Sequence, residues 1–381
     1  MSKVEELLAK YNSKRISTIK LADILDYEQP SKYIVSSSEY DDNYDIPVLT
    51  AGQTFILGYT DEKDGVYKAS KNNPTIIFDD FTTGHHWVDF DFKIKSSAMK
   101  MLRLKNNKSL LRYIFHSMAL INYVPTEHSR QWISKYSQFE IPLPHIKVQE
   151  EIVKILDSFT NLIDALNEEL SLRQKQFEYY REKLLTFDDK SVYTTLGKVG
   201  EFTRGNGLQK KDFTEYGFPC IHYGQIHTSY NTSASSTISY CSKSLAKKLK
   251  KAKYGDLLIA TTSEDVDACC KAIAWLGEGE VAYSGDSYCF SHNENPKYMA
   301  YLFQSNMFYN QKKTSATGAK VIRVSGDSMS QFILPIPSLA IQQSIVEKLD
   351  AFESLIASLK EEIALRQKQY EYYREKLLTF D

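Results

Sequence analysis

The segment "FDDFTTGHHWVDF" gathers Asp79, Asp80, His85, His86 and Asp89 into one short stretch. Carboxylates and imidazoles hold divalent metals or pass protons, so a metal site is one reading. Their spacing matches no zinc-ligand pattern, and a polar loop following an apolar strand is the better reading. Thr82, Thr83, His85 and His86 would then sit at a tip and offer hydrogen-bond donors and acceptors. Signatures of phosphoryl transfer and hydrolysis are missing. There is no G-x-x-x-x-G-K-[ST] loop, and "GEGE" (Gly277–Glu280) lacks the lysine and spacing to cradle phosphate. No Ser-His-Asp or Cys-His arrangement has supporting context. The five cysteines, Cys220, Cys241, Cys269, Cys270 and Cys289, are odd in number and show no C-x-x-C spacing. A disulfide scaffold or structural zinc is disfavoured, and a cytoplasmic location is expected.

Length and a repeat set the elements that would position such loops. At 381 residues, 42% apolar and 25% charged, the chain can bury two separate cores. No apolar run approaches the ~18 residues that span a membrane. The opening "MSKVEELLAKY" is charged and amphipathic, unlike a secretion leader. "LRQKQFEYYREKLLTFD" ends at Asp188 and "LRQKQYEYYREKLLTFD" ends at Asp381, with Leu172 falling on Leu365. Each copy opens with Pro-x-Pro (Pro142/Pro144, Pro335/Pro337), which breaks the preceding element. A long helix follows, in which Ile152, Leu156, Phe159, Ile163, Leu166 and Leu170 recur at steps of four and three. The pattern runs on to Leu184, and the second copy repeats it from Ile345 to Leu377. Such a seam needs a partner helix, and the other copy is the obvious one. Arg173 and Arg366 interrupt it and could reach Glu361/Glu362 and Glu168/Glu169 across the pair.

Connectivity predicts the direction of that pairing. The second globular region begins a few residues after the first helix ends, so the second helix must run back antiparallel to the first. "TIKLADILDYEQ" echoes "YTTLGKVGEFTRG", with Leu21 on Leu196, and "EELLAKY" before the one echoes "EKLLTF" before the other. The chain thus opens with the tail of a repeat whose body lies at its C-terminus, and both ends should meet. The expected boundaries are 1–138 and 190–331 for the globular domains, with 139–189 and 332–381 for the linker-plus-helix repeats. The fold class is α+β: two mixed α/β domains separated by an antiparallel coiled coil, pseudo-two-fold and circularly permuted.

"IPLPHIKVQEEIVKILD" and "LPIPSLAIQQSIVEKLD", each after a globular domain and before a helix ending "REKLL", resemble the specificity subunit of a Type I restriction–modification enzyme. "GDLLIAT" (Gly255–Thr261) and "IPVLTAGQTF" (Ile46–Phe55) resemble strand–loop elements of that family's target-recognition domains. The resemblance covers essentially the whole chain, and its specific part is the order of motifs, twice over. It implies that each domain reads one half of a bipartite site in double-stranded DNA. The helix pair sets the spacer and docks two methyltransferase (modification) subunits, through which restriction/translocase subunits join. Ile152 to Leu184 is roughly 48 Å of helix, or roughly 14 base pairs. No cofactor is expected in this chain; S-adenosylmethionine, ATP and Mg2+ belong to the partners. The lack of an [ND]-P-P-[FYW] tetrapeptide agrees with a non-catalytic subunit.

On that resemblance, polar side chains reach base edges and cations fix phosphates. The first domain offers Thr50, Gln53, Thr82, Thr83, His85 and His86. In the second, "IHYGQIHTSY" offers Tyr223, Gln225, His227 and Thr228, and Ser263 follows the strand "GDLLI". Lys210 and Lys211 beside the "TRGNG" turn would clamp phosphate, whereas the lysines of 243–253 would spread around a helix. Arg130 and Arg323 precede each Pro-x-Pro at equivalent places, as symmetric DNA clamps or as ties between domain and helix. Plain solvated turns are the alternative for each. Trp87, Trp132 and Trp275 are assigned to core, Tyr180 and Tyr373 to the helix seam. A net charge of −1 leaves room for another class, a two-headed protein scaffold that never meets nucleic acid.

Overall fold

The structure, a computed structural model, describes residues 3–12, 16–50, 54–318 and 320–380. Among them no helix is long and apolar enough to cross a membrane. The chain divides into two compact units, 1–167 with 361–381, and 168–360.

The first unit opens with α1 (Lys3–Tyr11), β1 (Thr18–Lys20), α2 (Leu21–Ile24) and β2 (Leu25–Glu28). Strands β3 (Ile46–Leu49), β4 (Ile56–Thr60), β5 (Thr75–Asp79), β6 (His85–Val88), β7 (Lys93–Ile94) and β8 (Met99–Leu104) follow. They form two sheets, ordered β2-β8-β5-β6 and β4-β3-β7. β5 reads "TIIFD" and is buried throughout because both of its faces are covered. Ile76 and Phe78 face the core shared with α3 (Leu111–Met118), and Ile77 faces the smaller sheet. β9 (Glu140–Pro142) pairs with β1, and α4 (Ile146–Leu184) leaves from there.

The second unit repeats that opening with β10 (Tyr193–Thr195), α5 (Leu196–Val199) and β11 (Gly200–Arg204). Next come β12 (Phe213–Thr214), β13 (Phe218–Ile221), α6 (Tyr223–Thr228), β14 (Ser233–Ala234), β15 (Ser239–Cys241), α7 (Lys243–Ala246) and β16 (Lys251–Ala252). β17 (Leu257–Ala260), β18 (Thr262–Ser263), β19 (Lys271–Trp275), β20 (Val281–Tyr283) and β21 (Ser287–His292) follow, completing two five-stranded sheets that leave β10 and β18 outside. The sheets are ordered β11-β21-β17-β19-β14 and β12-β15-β13-β20-β16. α8 (Pro296–Leu302) is capped by Asn295, whose Oδ1 accepts from the N–H groups of Lys297 and Tyr298. α9 (Asn306–Ser315), β22 (Ile322–Arg323), α10 (Gly326–Ser330) and β23 (Ile333–Pro335) lead to α11 (Leu339–Leu378).

Strand register matches one sheet of each unit residue by residue. Leu21 and Leu196 are fully buried, and their N–H groups donate to the carbonyls of Phe139 and Phe332. Leu102 lies between Tyr27 and Ile76; Phe290 lies between Phe202 and Leu257. β2, β8, β5 and β6 therefore correspond to β11, β21, β17 and β19. Tyr113 donates to the Pro142 carbonyl and Tyr298 to that of Pro335, both at 3.0 Å. Each globular part is also clamped to its helix by a carboxylate. Arg112 and His116 meet Asp157 at 2.7 and 2.9 Å, and Lys297 and Tyr301 meet Asp350 at 2.6 and 2.7 Å.

The helices run antiparallel, as connectivity requires. Phe159 stacks on Tyr373 at 5.3 Å in the first unit, and Tyr180 stacks on Phe352 at 5.4 Å in the second. These are one contact made twice, because Phe352 and Tyr373 are the repeat counterparts of Phe159 and Tyr180. Tyr179 and Tyr372 point outward, 61% and 58% exposed. Arg173 and Arg366, expected to face the opposite helix, find partners nearer by. They hold Glu169 and Glu362 on their own helices, at 3.3 and 2.7 Å, because side chains four positions apart are already neighbours. Val4, Leu7 and Leu8 of α1 share a core with Leu377 and Leu378, so the two ends of the chain do meet.

Candidate nucleic-acid interface

The hairpins β5–β6 and β17–β19 turn through residues 80–83 and 261–270. Thr83 N–H donates to the Asp79 carbonyl at 3.0 Å, and Cys270 N–H donates to that of Ala260, its counterpart, at 2.8 Å. Thr83 has φ 63° and Cys270 φ 65°, the two positive-φ non-glycine residues among those described. A side chain in that region costs on the order of 1 kcal/mol or more. Its recurrence at one place in both hairpins shows that the path of the turn imposes it, whatever the side chain.

Beside each hairpin lies a corner that carries an arginine. Gln131 N–H donates to the Asp80 carbonyl at 2.8 Å, and Val324 N–H to the Thr261 carbonyl at 3.4 Å, which places Arg130 and Arg323 alike. Their surroundings differ. Asp80 Oδ2 lies 3.1 Å from Lys100 Nζ and 3.7 Å from Arg130 Nη1, with Asp80 and Lys100 both buried. Asp80 Oδ1 accepts from Trp132 N–H at 2.8 Å, and Phe81 stacks on His128 at 4.6 Å. Arg130 is thus tied to its own domain. In the second unit Thr261 and Tyr288 stand at the places of Asp80 and Lys100, and Arg323 is exposed on β22.

Several residues read as loop tips lie elsewhere. His85 and His86 are on β6, so they point to opposite faces of the sheet. His85 packs edge-on against Phe115, and burial pushes its pKa down to about 4. His86 stacks on Phe55 at 4.5 Å, and burial lowers its pKa too. Thr83 is buried and donates to the Thr82 carbonyl, which leaves Thr82 exposed at the turn. Thr50 follows the end of β3, its N–H bonded to the Phe55 carbonyl at 3.0 Å; Gln53 falls outside the described residues.

"IHYGQIHTSY" forms α6, not a loop, and its polar groups are engaged locally. Gln225 accepts from His222 N–H at 2.9 Å and donates to Ser239 at 2.6 Å, so both ends of its amide are used. His227 Nε2 bonds the Thr262 carbonyl and Thr228 the Gly224 carbonyl, each at 3.0 Å. Tyr223 and Ser263 are half-buried; Lys210 and Lys211 are exposed in one 3-10 turn. The lysine run is no long helix, because α7 stops at Ala246 and a turn leads into β16. Among the described residues no three metal-binding groups converge. Trp132 and Trp275 are core.

The Type I restriction modification DNA specificity domain matches the chain twice, over residues 14–172 and 189–365. The chain belongs to this family. The specificity subunit of the type I restriction enzyme EcoR124I/EcoR124II of Escherichia coli is 39% identical over 402 residues, covering 100% of this chain and 97% of its own length. A putative type I specificity subunit of Haemophilus influenzae is 30% identical, over 86% of each chain. The crystal structure of the S subunit of a Type-I restriction-modification system from M. genitalium shares the fold, with a TM-score of 0.57 at 15% identity and coverage of 97% and 98%.

Each specificity domain of this chain holds one hairpin, one arginine corner and one carboxylate clamp. The clamps were missed in the sequence although a signal was present: Asp157 and Asp350 occupy the same place in "KILD" and "EKLD". The Asp80–Lys100 pair had none, since nothing local marks a lysine twenty positions away as its partner.

Proposed function

We propose that this specificity-family chain is a non-catalytic subunit whose domains, 1–138 and 190–331, each read one half of a bipartite DNA site. The doubled corner carries this reading: one sheet, one strained hairpin and one arginine position, furnished with different side chains. Reading two unlike half-sites from matched positions needs that combination. Thr82, Ser263, Arg323, Lys210 and Lys211 are the contacts best supported by exposure or placement. Gln225, His85 and Arg130 act in the support of the reading surface. The antiparallel helices serve as the ruler for the spacer. Their outward faces around Tyr179 and Tyr372 receive two methyltransferase subunits, which bring restriction subunits with them.

Methylome sequencing of cells expressing the chain with its modification subunit tests this. A split motif with a methylated adenine in each half is expected; a continuous motif, or no new methylation, would overturn it. One heptad inserted into both helices should lengthen the spacer by about three base pairs. An unchanged spacer would end the ruler.

A further inference from the structure

At the end of β11 the second unit turns through Gly205, Asn206 and Gly207 after Arg204. A side chain at Gly205 would strike the Ser284 carbonyl, and Gly207 has φ 59°, so this path suits glycine at both places. Between them Asn206 reaches a distant segment. Its Nδ2 donates to the Lys248 carbonyl at 2.9 Å, and its Oδ1 accepts from Lys250 N–H at 2.8 Å. Leu208 completes the junction by entering the core that holds Ala246 and Leu249. Two cation-rich segments are thereby pinned together, and Arg204, Lys210, Lys211, Lys247, Lys248 and Lys250 are all exposed. Lys251, next in the run, is answered by Glu280 at 3.6 Å. The cluster adjoins the reading corner: Lys210 lies over Gly224 of α6, and α6 leads to His227, bonded beside Ser263.

The first unit is built otherwise at this place. The register puts Gln29 where Arg204 stands, and the nearby Lys32 is paired with Glu28 at 2.8 Å. Residues 190–331 contain 17 Lys and Arg against 12 Asp and Glu, whereas 1–138 contain 18 against 17. We infer that the second domain carries a basic ledge for the sugar–phosphate backbone of duplex DNA which the first domain lacks, with Asn206 as the positioning residue that assembles it. Backbone grip is then unequal: the second domain supplies most of the sequence-independent, salt-sensitive binding, and the first relies on its partner domain to be held down. This rests on the DNA reading proposed above.

The test measures binding of the full chain, purified with its modification subunit, to a fluorescent duplex without the recognised motif, over a series of salt concentrations. Lys210→Ala with Lys211→Ala should make the slope of log K against log salt shallower by about two. Removing two exposed lysines of the first domain, Lys71→Ala with Lys108→Ala, should leave the slope unchanged. Asn206→Ala keeps every charge; it should weaken this binding several-fold and leave the methylated motif as it was, a split that general unfolding would not produce. Equal slope changes from the two lysine pairs would overturn the ledge, and Asn206→Ala binding like the parent would strike Asn206 from it. A parent complex with no salt-dependent DNA binding would instead remove the reading on which the inference rests.

Discussion

At the corner beside its hairpin, the first unit sets a buried ion pair behind its arginine, and the second sets two neutral side chains there. Asp80, Lys100 and Arg130 occupy the places that Thr261, Tyr288 and Arg323 hold in the second unit, while the backbone hydrogen bonds around them are the same. The clamps differ in the same spirit. His116 joins Asp157 to Tyr370 through both ring nitrogens, whereas Tyr301 bonds Asp350 through its hydroxyl and lies edge-on to the ring of Phe177. The difference teaches a division of labour. Main-chain bonding fixes where a side chain is presented, and the chemistry presented there is free to change completely.

The comparison breaks most visibly at the buried pair. Asp80→Asn leaves Lys100 without its counter-charge and should cost about 3–5 kcal/mol. Thr261→Val should cost about 1 kcal/mol or less. Urea melts give the totals, and hydrogen exchange should confine the first loss to the first unit. Asp80→Thr with Lys100→Tyr, which rewrites the first corner in the terms of the second, should recover much of it. If the double variant is no better than Asp80→Asn, the two corners are not interchangeable. Next in size are the clamps. Asp157→Ala strands buried His116 and should cost about 2–3 kcal/mol; Asp350→Ala strands Tyr301, which is just as buried but keeps Glu353 as a second partner, and should cost about half as much. Equal losses would refute this ranking.

Acid should act on both units through histidines that burial holds neutral, most strongly His85 in the first and His292 in the second. Burial holds His85 and His292 down to about 4, so the unfolded chain, with imidazoles near 6.5, binds protons first as the pH falls. Their contribution is fully present above about pH 6.5 and is lost on the way down to about 4, about 2 kcal/mol per histidine by pH 5. His85→Phe and His292→Phe should each flatten the acid limb of stability; a limb parallel to the parent's would show that other groups set it. The smallest effect concerns the arginines. Arg323→Ala should make the salt slope of DNA binding shallower by about one, and Arg130→Ala by clearly less, because Asp80 already engages it. The reverse order would sink the distinction.

The helices, their direction and the meeting of the chain ends were legible in the sequence because one offset relates the whole repeat, from Pro142 onto Pro335 to Leu184 onto Leu377. The domains were not, for a physical reason. Leu21 falls on Leu196, but six more residues in the second hairpin, among other insertions, keep changing the offset before Arg130 falls on Arg323. Between those anchors only burial pattern and register persist, as in Ile76 and Leu257. Of the candidate contacts, the arginine places were readable from the repeat. The local bonding of Gln225 was not legible, because a glutamine that caps a one-turn helix looks in sequence like one free to bond adenine. The strand placement of His85 and His86 was not legible, because nothing before Trp87 announces that β6 has begun.

The paired bonds that close the two hairpins, Thr83 to Asp79 and Cys270 to Ala260, act as a splice point. A loop of four residues and a loop of ten are closed by the same bond and the same positive-φ residue. A lineage can therefore exchange the contents of that turn while the stem folds as before, and on the reading proposed above a new target sequence then needs no rebuilt domain.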